Sequence, residues 1–317
     1  MSAAADSMET LSFTASDGKP VRLLRWLPAA SLRATVQIAH GMGEHAGRYD
    51  ELGGRLGASG YAVYASDHRG HGATAEPGLL GWMGADGWNR TLDDAHEIAE
   101  FIAATHPALP RVFLGHSMGS MLAQQYLYRH GGGLAAAVMS GTPGFSSPVQ
   151  GLLSRTLARF ERWRLGPTAE SVLMQKLIFG DANAAFDAPG STGYEWLSRD
   201  AERVAAYAAD PWCGFVLRAG SLCDLFAGAR EARHRRNIAT IPPDLPLLIL
   251  SGSADPVHSG ERNIRRLLGK YRRRMRNVEY RSYADARHEL FNETNREDVY
   301  RDLLAWLDGI LPARTAP

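Results

Sequence analysis

The sequence is poor in everything that would staple a chain from outside or tie it to a charged partner. Its 317 residues include only two cysteines, Cys213 and Cys223. That usage excludes a disulfide framework and a cysteine-based metal knuckle, and predicts reduced thiols. No apolar run approaches the ~18 residues of a membrane span. The opening "MSAAADSMETLSFTASDG" has neither a basic start nor an apolar core, so a cytoplasmic chain is expected. Net charge is nearly absent as well: 35 Lys and Arg stand against 34 Asp and Glu, for +1 overall. No global field draws the chain to nucleic acid, and no such partner is expected. Internal repeats and low-complexity segments are missing too.

What the sequence does have is apolar content, 45%, enough to fill the core of one large α/β domain with an insertion. From residue 34 the pattern alternates. "ATVQIAHG", "YAVYASDHRGHG", "RVFLGHS" and "LAAAVMSG" read as buried strands, and "RYDELGGRLGASG" and "MGSMLAQQYLYRHG" as helices stopped by glycine. "NRTLDDAHEIAEFIAATHP" reads as a helix opened by a capping box from Thr91 to Asp94, with Ala95, Ile98, Ala99 and Ile102 on one face. This repetition predicts a mostly parallel sheet covered on both faces. "METLSFTASDG" and "VRLLRWLP" read as an antiparallel hairpin at one edge. After Thr142 the rhythm breaks for about a hundred residues before "LPLLILSGSADP" resumes it. The expected organisation is therefore a core of residues 1–141 and 244–317 around a helical insertion of residues 142–243.

Within that frame Gly115-His116-Ser117-Met118-Gly119 falls at a strand-to-helix junction. A G-x-S-x-G turn there forces the serine into a strained conformation and presents its hydroxyl at the carboxyl end of the sheet. A nucleophilic serine needs a base, and the base an orienting carboxylate. Between Met118 and Phe160 there is no Asp or Glu, which rules out the end of the next strand. Asp255, after "LPLLILSGS", is the expected acid. Of the 11 histidines, His258 is too close to Asp255 and leads into a helix. His288, in the loop after "VEYRSYADAR", fits the chain order Ser, Asp, His and is the expected base. The strand end "AHGMGEH" lets the backbone approach a substrate, so the amides of Met42 and Met118 are the expected oxyanion donors. His40, His45, His68 and His71 lack metal-ligand spacing and are expected to hydrogen-bond the loops that carry those donors. No metal and no cofactor are expected.

The stretches "HGMGEHAGRY", "ASDHRGHG", "GHSMG", "SGSADPVH" and "ARHELFNE" together resemble the monoacylglycerol lipase and lysophospholipase group of α/β-hydrolases, over most of residues 34–141 and 246–293. Residues 196–215, "WLSRDAERVAAYAADPWCGF", are similar to the lid region of bacterial lysophospholipase-like members. The resemblance implies an α/β-hydrolase fold with a helical lid, the triad Ser117, Asp255 and His288, amide donors at Met42 and Met118, and ester hydrolysis. One departure is Asp285, where such proteins commonly carry glycine, and it bears on the geometry of the loop before the base.

Substrate class follows less directly. In "GLLSRTLARFERW", Leu153, Leu157 and Phe160 share a helical face with Arg155, Arg159 and Arg162 mostly elsewhere, a pattern that suits either a lid over an acyl chain or a helix packed on the body. Arg272, Arg273, Arg274 and Arg276 form a basic run, read as a solvated helix end. The resemblance points to monoacylglycerols, lysophospholipids or other small apolar esters, and leaves room for transient membrane-surface contact through the lid. The rival readings are an aminopeptidase using Asp181, Asp187 and Glu195 as an amine pocket, and a non-catalytic ligand receptor.

Overall fold

The computed structural model describes residues 8–28, 31–145, 147–258 and 260–311. Eight strands form one sheet: β1 (Glu9–Thr14), β2 (Pro20–Trp26), β3 (Ala34–Ala39), β4 (Tyr61–Ser66), β5 (Arg111–His116), β6 (Ala136–Ser140), β7 (Leu247–Gly252) and β8 (Val278–Tyr283). Their spatial order is β1-β2-β4-β3-β5-β6-β7-β8. β1 pairs antiparallel with β2, and β2 with β4; every later pairing is parallel. β3, β4, β6 and β7 are buried along their whole length, which is why they read as continuous apolar runs. Successive side chains go to opposite faces: in β7, Leu247 and Ile249 join one core cluster and Leu248 and Leu250 the other.

Helices α1 (Asp50–Ala58), α2 (Gly87–Thr105) and α3 (Met118–His130) connect the strands up to β6. Between β6 and β7 come α4 (Pro148–Leu165), α5 (Val172–Phe179), α6 (Ala201–Ala209), α7 (Ala219–Ala232) and α8 (Arg235–Ile238), and among the described residues no strand. α9 (Glu261–Arg272) and α10 (Arg296–Ile310) complete the chain. Leu52 and Leu56 of α1 pack with Leu303 and Trp306 of α10 on one face, and Leu92, Leu122 and Leu267 of α2, α3 and α9 on the other.

One expectation meets a different outcome. Thr91 does not open α2: the helix begins a turn earlier, and the Thr91 hydroxyl donates to the Gly87 carbonyl at 2.8 Å. The start is held instead by a distant group, the Asp224 carboxylate of α7, which accepts from the Gly87 N–H at 3.1 Å. The apolar face of α4 is only partly covered: Leu157 packs against a core cluster. Only Ala158 and Glu161 of that helix are buried, while Leu153 is 63% and Trp163 80% exposed. The face continues into exposed Val172, Leu173 and Leu177 of α5. Among the described residues no helix is long and apolar enough to cross a membrane.

Candidate active site

Ser117 sits between β5 and α3 at φ 51° and ψ −113°, a conformation that a non-glycine residue adopts only when its surroundings impose it. Its N–H donates to the Ser140 carbonyl of β6 at 2.9 Å, and its own carbonyl accepts from the Ser120 N–H at 2.9 Å and hydroxyl at 2.6 Å. The flanking glycines are sterically required. A Cβ on Gly115 would collide with the Gly119 carbonyl, and one on Gly119 with the Ala39 carbonyl of β3. Strand, turn and helix thus close on one another with no room for a side chain, and the hydroxyl is left at the sheet's carboxyl edge.

Asp255 follows β7 and His288 follows β8; both are about 2% exposed. His288 Nδ1 lies 2.9 Å from Asp255 Oδ2, and Asp255 Oδ1 accepts from the Val257 N–H at 2.8 Å. An ionised carboxylate only accepts, so Nδ1 carries the proton and Nε2 keeps a lone pair. Burial alone would raise the Asp255 carboxyl, but the facing imidazole and the Val257 amide outweigh it and the net direction is down. Burial alone would lower His288; Asp255, with Glu289 and Glu44 behind it, outweighs that and raises it above its usual 6.5. The ring is wedged between Trp196 and His116, with centroids at 5.1 and 4.8 Å. Asp285 adopts φ 58° and donates its N–H to Ser253 Oγ at 2.8 Å. Aspartate is among the few side chains that tolerate this left-handed region, so the loop takes the glycine-like conformation without a glycine.

Ser117 and Met42 line two cavities, one of about 840 Å³ and one of about 410 Å³; Met118 lines the larger and His288 the smaller. Among the described residues, neither the Met42 nor the Met118 amide donates to a protein acceptor.

A buried network that the sequence did not announce holds these loops. Glu44 accepts from the Gly41 N–H at 2.5 Å and the Tyr49 hydroxyl at 2.8 Å. Arg48 bridges Glu44, at 2.7 Å, to Glu289, which it grips with both nitrogens at 2.5 and 2.7 Å. The loop that follows β3 is thereby bolted to the residue after His288. The helical insertion adds further ties. The Tyr207 hydroxyl and the Gly214 N–H both donate to the Gly43 carbonyl, at 2.8 and 3.0 Å. The carbonyls of Trp196 and Leu197 accept from the N–H groups of His288 and Glu289. The signal was present in "HGMGEHAGRY", but its partner at 289 lies too far along the chain for spacing to reveal.

The other singled-out residues also have places. His40 Nε2 accepts from the His68 N–H at 2.9 Å, so its Nδ1–H donates to the Gly41 carbonyl at 2.8 Å. Burial, reinforced by neighbouring histidines, drives His40 well below 6.5 and His68 to about 3; His71 falls to about 4, chiefly by burial. His45 faces Asp210 at 2.9 Å through Nε2, with Cys213 beside them as a third donor. That nitrogen is already spent on the carboxylate, because Nδ1 accepts from Gly47. His258 is turned to the backbone, touching Gly252 and Gly260. Asp181, Asp187 and Glu195 line neither cavity, and Asn183 donates to both Asp187 and Glu195. Of the basic run, Arg274 donates to the Ile241 carbonyl and Arg276 pairs with Asp244.

The family described as Serine aminopeptidase, S33 matches residues 30–295. The chain is 31% identical over 290 residues to a monoacylglycerol lipase of Mycolicibacterium smegmatis, covering 89% of this chain and 90% of that protein. It is 26% identical over 240 residues to the monoglyceride lipase of Homo sapiens, covering 76% and 71%. The crystal structure of a thermostable carboxyl esterase from Bacillus coagulans in complex with glycerol superposes with a TM-score of 0.87 at 26% identity, over 96% of this chain and 99% of that one. Because the first match runs from ahead of β3 to just short of α10, through sheet and insertion alike, the chain belongs to the Serine aminopeptidase, S33 family of α/β-hydrolases.

Proposed function

We propose that the protein is a serine carboxylic-ester hydrolase acting on monoacylglycerols, lysophospholipids or similar apolar esters. The observation that carries this is the buried Asp255–His288 pair at 2.9 Å, whose histidine shares a cavity with a serine of imposed backbone conformation. Ser117 Oγ attacks the ester carbonyl while His288 Nε2 takes its proton. The oxyanion settles on the amides of Met42 and Met118. Collapse expels the alcohol, which receives the proton from His288, and water then repeats the sequence on the acyl-enzyme. The larger cavity, whose lining includes Met121, Ile178, Leu225 and Phe226, suits an acyl chain. The insertion serves as its lid, and the exposed apolar surface of α4 and α5 supports a transient contact with a lipid surface. The two cysteines are free, in keeping with the cytoplasm.

Against the aminopeptidase reading stands the state of the carboxylates that line the smaller cavity: Glu44 and Glu289 are both occupied by Arg48. The test is hydrolysis of p-nitrophenyl esters of increasing acyl length, monoacylglycerols and an aminoacyl arylamide by the parent and Ser117→Ala. Turnover of medium or long esters should fall by about 10³-fold or more in the variant. A variant that stays within tenfold of the parent removes Ser117 from the mechanism, and activity confined to the arylamide makes the protein a peptidase.

A further inference from the structure

The larger cavity has two kinds of wall. Its lining joins Ser117 and apolar side chains such as Met121, Ile178, Leu225 and Phe226 to Arg155 of α4, Arg230 and Arg233 at the end of α7, and Arg265, Arg266 and Lys270 of α9, with no carboxylate among the described residues. In a chain with 35 basic and 34 acidic residues, this segregation is not the background. The cations also converge. A Cβ on Gly151 would lie 3.4 Å from Arg155 Nη1 and 4.0 Å from Arg233 Nη1. Arg233 and Lys270 both stand over the ring of buried Phe145, each 4.9 Å from its centroid.

Several of these groups spend hydrogen bonds on neutral acceptors, Arg266 on the Asn263 side chain and Lys270 on the Arg233 carbonyl; Arg265 pairs with Glu261 one turn back. Arg155, Arg233 and Lys270 are each drawn below their ordinary values, by burial first and then by neighbouring cations. Concentrating like charge costs energy that an anion in the cavity reverses.

We propose that the esters this site prefers are anionic amphiphiles, whose apolar limb lies along the apolar wall while a carboxylate on the acyl limb or a phosphate on the alcohol limb is held by Arg155, Arg230 and Lys270. The inference deepens the ester-hydrolase reading and rests on it for the reaction. Water adds across the ester, and the anionic group passes through the reaction unchanged.

Two matched pairs of esters test it. 4-Nitrophenyl hydrogen sebacate and 4-nitrophenyl decanoate differ only by a terminal carboxylate on the acyl limb. Dodecanoylglycerol phosphate and dodecanoylglycerol differ by a phosphate on the alcohol limb. In the parent at low salt, kcat/KM should favour the anionic member of one pair by about tenfold or more, and which pair does so identifies the source of the anion. The ratio should shrink in about 0.5 M salt and approach one in Arg155→Gln/Arg230→Gln/Lys270→Gln. Ratios near one in the parent, or a ratio untouched by the substitutions, overturn the proposal. So does a variant that alters only sedimentation with phosphatidylglycerol vesicles, since the cations then serve a lipid surface. If neither member of either pair is turned over in a Ser117-dependent way, the hydrolase reading has failed instead. Titration of Ser117→Ala with monomethyl sebacate and methyl decanoate then decides the anion question, and equal affinities refute it.

Discussion

Replacing Arg48 by methionine removes the one cation between Glu44 and Glu289, and the structure sets the size of the effect. Burial alone would raise the Glu289 carboxyl, but Arg48 outweighs it and carries the group from the usual 4.5 to about 2. The direction of the shift gives the sign, and leaving a buried charge without its partner sets the size, about 3–5 kcal/mol. The sign follows from linkage. The depressed carboxyl contributes stability that is fully present above about pH 4.5 and is lost as pH falls through about 2. Without Arg48 the buried Glu289 favours its protonated form, so the variant is penalised most at pH 7 and least in acid. Urea unfolding should therefore show a deficit of about 3 kcal/mol at pH 7 that narrows by pH 4, and Arg48→Met/Glu289→Gln should recover part of it. The loops of Met42 and His288 lose their common bolt, so kcat should drop about tenfold to a hundredfold. A deficit under about 1 kcal/mol, or one equal at the two pH values, refutes the reasoning.

His288 must be neutral to accept a proton, and it lies above its usual 6.5, so kcat/KM should fall on the acid side with a midpoint above 6.5. Asp255→Asn should move that midpoint down while lowering the rate; an unmoved midpoint would detach Asp255 from the imidazole. Asp285→Gly relieves a positive φ and should change unfolding free energy by no more than about 1 kcal/mol while leaving turnover near the parent's. A large loss of activity would mean that the Asp285 side chain itself has work at the site.

How much of this is legible in the sequence depends on how local the cause is. The elbow at Ser117 is written in five consecutive residues, because the close approaches that demand Gly115 and Gly119 lie within one turn and its neighbouring strand. Asp255 and His288 are found from topology, since a parallel sheet delivers successive strand ends to one edge. Thr91 misleads because a capping box describes the chain near a helix start, whereas α2 is capped across space by Asp224. The tie from Arg48 to Glu289 spans 241 positions, and no periodicity reports it. Nor does a hydrophobic pattern say that its apolar face is left partly uncovered, as on α4, because pattern fixes which residues share a face and not what the face meets.

The bonds from residues 196–214 to Gly43, His288 and Glu289 have a consequence for how such a protein can be altered. This stretch belongs by sequence to the insertion, yet its bonds tie it to the loops that follow β3 and β8. Among the described residues the α4–α5 portion makes no such bond to either loop, while its Ile178 and Phe179 line the cavities. An exchange of insertions between relatives must therefore be cut ahead of Trp196, since a swap that replaces the whole insertion also replaces the struts that hold those loops in register.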